Sequence, residues 1–180
     1  MGIKKVQRKE WRNYMFIEKN NEIRKSLFKQ IDSLTNEQFN EKPDEASWSP
    51  KEIIDHLVKM EHTIIKGIKK ELNNPASPSA KKKPIQLSTL RIVKVKAPAH
   101  TVPSDEYKRT EEMKAQLHEA RMELLALYKS SNPSTLKDKS LKHPIFGQVP
   151  LIQWFAFTGL HEKRHAKQLE KTIEKIKGHN

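Results

Sequence analysis

The sequence predicts an all-α protein, a four-helix bundle in one domain spanning residues 1–180, and three observations carry that expectation. The chain has 180 residues, the span of one ordinary domain. It has only five glycines, and its ten prolines sit at segment boundaries, so four long stretches contain nothing that breaks a helix. Each of those stretches repeats apolar residues at intervals of three and four, which places them on one helical face.

The first helix is expected over about 9–34, where Phe16, Ile23, Leu27, Ile31 and Leu34 form the buried stripe. A short helical turn is expected at 36–40, before Pro43. The second helix has the clearest start: Ser49 as N-cap, Pro50 at the first helical position, and Glu52 three residues after the cap, where its carboxylate reaches back. Ile53, Leu57, Met60 and Ile64 make its stripe, widened by Ile54, Val58, Ile65 and Ile68, until Asn73, Asn74 and Pro75 stop it.

Residues 73–103 collect prolines and the run Lys81, Lys82 and Lys83 into a long connection between the second and third helices. A connection of this length is usually a lid, a binding loop or an ordered wrap, here over one end of the bundle, with one short extended piece expected at 90–95. Ser104 is expected to cap the third helix, with Asp105 and Glu106 in its first turn against the positive end of the dipole. Its apolar face is Met113, Leu117, Ala120, Leu124 and Leu127. The fourth helix is expected from Pro150, after a turn at Gly147, to about 177, with Gly178 in the C-cap region.

Composition narrows the function. A hydrophobic fraction of 35% supplies one core, and 32% charged residues supply a polar surface. The longest mostly apolar stretch, 151–160, contains Gln153 and Thr158 and falls well short of the roughly 18 residues a membrane span requires. Basic residues near the N-terminus are not followed by an apolar segment, so no secretory signal is visible and a cytoplasmic protein is expected. With no cysteine, the chain has no disulfide, thiolate ligand or cysteine nucleophile, and His, Asp and Glu are the available metal ligands. A net charge of +13 invites a nucleic-acid partner. Only seven of the 35 basic residues are arginine, and the lysines are scattered, which weighs against nucleic acid.

His161 and His165 stand four residues apart on the fourth helix and so share a face, a spacing that suits two ligands to one ion. Read literally, His161-Glu162-Lys163-Arg164-His165 is the H-E-x-x-H pattern of zinc proteases. The surroundings disagree, because a metzincin needs glycine at 168 and histidine at 171, where this chain has Gln168 and Lys171. With 15 residues left after His165, a third ligand must come from upstream. His56 is the best candidate, bordering the apolar stripe of a strong helix; His62 points elsewhere, and His118 is a weaker rival. His100, His143 and His179 fall in loops or at the terminus, where a solvated histidine is the usual case.

The stretch Trp48-Ser49-Pro50-Lys51-Glu52-Ile53-Ile54-Asp55-His56-Leu57 resembles the W-S-x-x-E-x-x-x-H-L opening of the second helix in DinB/YfiT-like proteins. His143-Pro144-Ile145-Phe146-Gly147 and His161-Glu162-Lys163-Arg164-His165-Ala166-Lys167-Gln168 resemble the turn and the H-x-x-x-H-x-x-Q fourth helix of the same family. The resemblance implies an up-down-down-up bundle with a long link between its second and third helices. It also implies a divalent metal, nickel or zinc, held by His56, His161 and His165. Glu162 has no role in that pattern, and its helical spacing, one position off the ligand face, suggests a surface charge.

Three ligands leave a coordination position open, the arrangement of a catalytic site. Characterised relatives include thiol S-transferases and a thiol-dependent isomerase, and others are called hydrolases. The expectation is therefore a metal-dependent enzyme adding a low-molecular-weight thiol to an electrophilic small molecule. A hydrolase using water, with Asp55, Glu61 or Glu162 as base, and a non-enzymatic basic binding module are the alternatives. Trp48, Trp154 and Gln168 are candidate pocket residues, and Asn20, on the first helix's stripe, is a candidate to face the cavity. Relatives are often dimers, so a homodimer is a further expectation of the resemblance.

Overall fold

The structure, a computed structural model, describes the backbone of residues 3–90 and 98–178 and the side chains from residue 15 onward within those spans. The elements in chain order are α1 (Ile3–Ile31), α2 (Asn36–Asn40), α3 (Pro50–Leu72), α4 (Thr110–Ser130), α5 (Pro133–Asp138), β1 (Ser140–His143), β2 (Gly147–Pro150) and α6 (Leu151–Gly178). The four long helices α1, α3, α4 and α6 are the bundle, and they correspond to the four stretches expected from the sequence.

Side-chain pairings fix their directions. Asn20 Nδ2 donates to the Phe155 carbonyl, Arg24 pairs with Glu162, and Lys177 Nζ donates to the Ser33 carbonyl. Residue numbers rise together along these contacts, so α1 and α6 are parallel. Glu61 with Arg121 and Lys69 with Glu123 make α3 and α4 parallel as well. Arg24 against Leu117 and Asp32 against Lys114 run in opposite senses, so α1 opposes α4. The topology is up-down-down-up, and parallel neighbours of this kind require the long link between α3 and α4.

The start of α3 forms as its residues dictate. Ser49 Oγ accepts from the Glu52 amide at 3.1 Å while Glu52 Oε2 accepts from the Ser49 amide at 2.8 Å, a reciprocal capping box. The start of α4 differs from the expectation. Ser104, Asp105 and Glu106 are not helical, because Asp55 Oδ2 accepts from the Ser104 amide at 2.7 Å and Asn40 accepts from the Lys108 amide at 3.1 Å, holding the segment extended. The helix begins at Thr110, whose amide is capped from another element by Asn36 Oδ1 at 3.0 Å.

The connection after α3 is an ordered wrap. Lys83 and Gln153 exchange two hydrogen bonds of 2.8 Å, and a 3-10 turn at Ile85–Thr89 packs its buried Ile85 beside α6. A second 3-10 turn, Ala99–Thr101, lies on α3 and brings the fully buried Thr101 there. The extended piece expected at 90–95 falls, beyond residue 90, outside the described residues. The small β1–β2 hairpin, which the sequence reading did not anticipate, pairs Ser140 with Pro150 and His143 with Gly147. Gly147 turns at φ +66°, a conformation that favours glycine.

Two apolar clusters fill the bundle. One gathers Leu27, Ile31, Ile53, Leu57, Leu117 and Ile173, and the other Ile64, Ile68, Leu124, Leu151, Phe155 and Phe157. Charged and polar side chains occupy the level between them, and the candidate site lies at that level.

Candidate metal centre

His56 projects from α3, and His161 and His165 project from α6. Their rings converge, with centroids 5.4 Å apart for His56 and His161, 4.9 Å for His56 and His165, and 4.5 Å for His161 and His165. One ring nitrogen from each lies within 4.8 Å of the others, so the three form a histidine triad able to bind a metal. His56 is buried, and the two α6 histidines keep partial exposure.

Hydrogen bonds select the tautomers that ligation needs. His56 Nδ1 lies 2.8 Å from the Thr101 carbonyl oxygen. A carbonyl only accepts, so Nδ1 carries the proton and the Nε2 lone pair is left for an ion. His165 Nδ1 donates in the same way to Gln168 Oε1 at 3.0 Å. Burial also favours neutral rings. Desolvation pushes the His56 pKa below its ordinary value, and His161 is pushed well below by desolvation first and then by the neighbouring histidines. Neutral imidazoles with free nitrogens fit a borderline divalent cation.

The residues expected around the triad divide. Trp48 lies tilted against His56 with ring centroids 5.0 Å apart, and Gln168 orients His165. Trp154 is buried, donates its indole N–H to the Val149 carbonyl, and packs on Phe157 and His143. Phe157, not anticipated, is the ring stacked 6.1 Å from His161. Thr101 was also missed, because the link between a carbonyl and an imidazole 45 residues apart leaves no pattern in the chain. The Asn20 amide crosses over Gly159 to reach the Phe155 carbonyl.

Two other expectations are corrected. His143 is not a solvated loop residue: it is buried at the end of β1, and its Nδ1 accepts from the Ile145 and Phe146 amides at 3.1 and 3.3 Å, shaping the turn. Glu162 is not a surface charge: it is 2% exposed and bound by two arginines. Arg24, Glu61, Arg121 and Glu162, one from each long helix, form a buried quartet. Arg24 reaches both carboxylates, Arg121 Nε donates to Glu61 at 2.6 Å, and an Arg121 terminal nitrogen donates to Glu162 at 2.7 Å. His62, His100 and His118 are exposed and lie outside the triad.

With this geometry established, comparison with known proteins places the chain. Residues 21–169 match the DinB superfamily, and the chain belongs to that family. An uncharacterised Bacillus subtilis protein, YuaE, is 33% identical over 156 residues, covering 87% of this chain and 96% of that protein. Among solved structures, TT2238, described as a four-helix bundle protein, aligns with a TM-score of 0.60 and 18% identity over 88% of this chain and 98% of the other. YfiT from Bacillus subtilis, described as a probable metal-dependent hydrolase with an unusual four-helix bundle topology, aligns with a TM-score of 0.61 and 14% identity over 92% and 87% of the two chains. At these identities the two solved structures show the shared fold. No helix among the described residues is long and apolar enough to cross a membrane.

Proposed function

We propose that this DinB-superfamily protein is a metal-dependent enzyme that transfers a low-molecular-weight thiol to an electrophilic small molecule, with nickel or zinc as its ion. The observation that carries the proposal is the convergence of three imidazole nitrogens within 4.8 Å, two of the rings held in the ligating tautomer by Thr101 and Gln168. A divalent ion held by His56, His161 and His165 supplies Lewis acidity, which lets a thiol or water react as its anion near neutral pH.

Among the acids nearby, Glu162 accepts three arginine hydrogen bonds, and Asp55 Oδ2 is held by Lys59 and Ser104. The chain has no cysteine, so the sulfur arrives on a diffusible thiol, and the +13 surface attracts an anionic one. Hydrolysis is the second reading, supported by the description of the YfiT fold neighbour as a probable metal-dependent hydrolase. A homodimer in the cytoplasm belongs to the same proposal.

The test is metal content of untagged protein beside His56→Ala, followed by thiol-conjugation and esterase or amidase assays on the loaded protein. One ion per chain, absent from His56→Ala, with metal-dependent thiol conjugation is expected. A loaded protein that hydrolyses substrates but conjugates no thiol moves the assignment to the second reading. A parent protein without metal overturns both.

A further inference from the structure

Two of the three triad histidines have their second nitrogen held by the protein. His161 has no hydrogen bond among the described residues. Next to it lies a small cavity lined by Leu57, Glu61, Leu117, Thr158, His161 and Glu162, among others, with about 10 Å³ available to the centre of a water-sized sphere. That is the space of roughly one water, and a buried water needs two to four polar partners.

The lining supplies them with the right polarity. The Thr158 hydroxyl proton is spent on the Phe155 carbonyl at 3.0 Å, so its oxygen can only accept from the cavity. A carboxylate offers about four acceptor sites. Glu61 receives two arginine hydrogen bonds, one on each oxygen, and keeps spare capacity, while Glu162 receives three. A neutral imidazole that gives one nitrogen to an ion presents the other as an N–H donor.

We infer that one water in this cavity accepts the His161 N–H and donates to Glu61 and to Thr158, so that Glu61 is a positioning residue for the third histidine. The Arg24–Glu61–Arg121–Glu162 quartet then acts as the outer shell of the metal centre. The arginines hold the Glu61 carboxylate in place, and through the water it fixes which His161 nitrogen faces the ion. This deepens the three-histidine reading and rests on it.

The experiment uses the full chain loaded with Zn²⁺. Zinc affinity is measured by chelator competition for the parent, Glu61→Gln and Thr158→Val, and the imidazole N–H resonances are followed by ¹⁵N-resolved NMR. Outer-shell partners typically change metal affinity by about 10- to 100-fold, and a loss in that range is expected for Glu61→Gln, with a smaller loss in the same direction for Thr158→Val. Both substitutions should shift the His161 ring N–H signal, whereas Glu123→Gln, at the exposed Lys69 pair, should not. Should Glu61→Gln fail to fold, the near-isosteric Thr158→Val decides. A folded Thr158→Val protein with parental zinc affinity and an unmoved His161 signal overturns the inference. A parent protein that binds no zinc or nickel instead overturns the triad reading beneath it, so the two failures are told apart.

Discussion

Neutral imidazoles are costly to protonate where they are buried, and this sets a pH dependence at the level of single residues. His56, His143 and His161 all have folded pKa values below the ordinary 6.5, each with desolvation as the main cause. Below pH 6.5 the unfolded chain takes up protons that the folded chain refuses, so unfolding is favoured as pH falls. Stability from this source is complete above pH 6.5 and declines below it until the depressed folded values are reached. The metal-free protein should therefore show a constant urea midpoint from pH 8 to 7 and a falling one from about pH 6.5 to 5. That window is separate from the one set by Glu37, Asp44, Glu71 and Glu123, whose lowered pKa values act only below the ordinary carboxylate range. A flat midpoint down to pH 5 would refute the lowered pKa values of these rings. Gly159 gives a second residue-scale prediction. A Cβ there would stand 1.8 Å from Asn20 Oδ1, and the amide cannot swing aside without losing its 2.9 Å bond to Phe155. Gly159→Ala should destabilise by about 1–3 kcal/mol, seen as a drop of several degrees in Tm.

At the scale of elements, legibility depended on whether the determinants of an element are local. The start of α3 is written entirely in Ser49, Pro50 and Glu52, and it forms where those residues put it. The start of α4 has an equally good local phrase in Ser104, Asp105 and Glu106, yet the helix begins only at Thr110, with Arg109 in the cap position. Asp55, Asn40 and Asn36 take the backbone groups of 104–110 from α3 and α2, and partners from other elements outweigh a local cap. The β1–β2 hairpin was illegible for a different reason. Its strands have four residues each, too short for alternation to show, and Pro144 and Gly147 mark a turn without marking strands on either side. Asn36 should thus carry the α4 boundary: Asn36→Ala removes the acceptor for both the Thr110 amide and hydroxyl. The expected cost is about 1 kcal/mol, with faster hydrogen exchange at 110–113 and unchanged exchange in the middle of α4. Uniform exchange along α4 in the variant and the parent would contradict it.

Across the whole molecule, the bundle is two apolar clusters separated by a charged level, and that level was partly readable. The three histidines were found because their spacing is chemically unusual and their surroundings match a family pattern. The quartet was passed over because each member is an ordinary surface type taken alone. Placed on the stripes, however, Arg24 lies between Asn20 and Leu27, Glu61 between Leu57 and Ile64, Arg121 between Leu117 and Leu124, and Glu162 between Thr158 and Leu169, all of them buried. One charge per stripe, two of each sign, is a pattern that only the up-down-down-up arrangement turns into a single layer. Its energetics follow from burial. Removing one ion leaves its partners desolvated and unpaired, which typically costs about 3–5 kcal/mol, whereas removing a matched pair and filling its volume is close to neutral. Arg121→Met should therefore be strongly destabilised, by about 3–5 kcal/mol in urea unfolding. Adding Glu61→Met should recover most of that loss, since Arg24 and Glu162 still pair through two bonds. Additive losses in the double variant would mean the four groups act separately, and the quartet would then be neither a unit of stability nor a frame that holds His161.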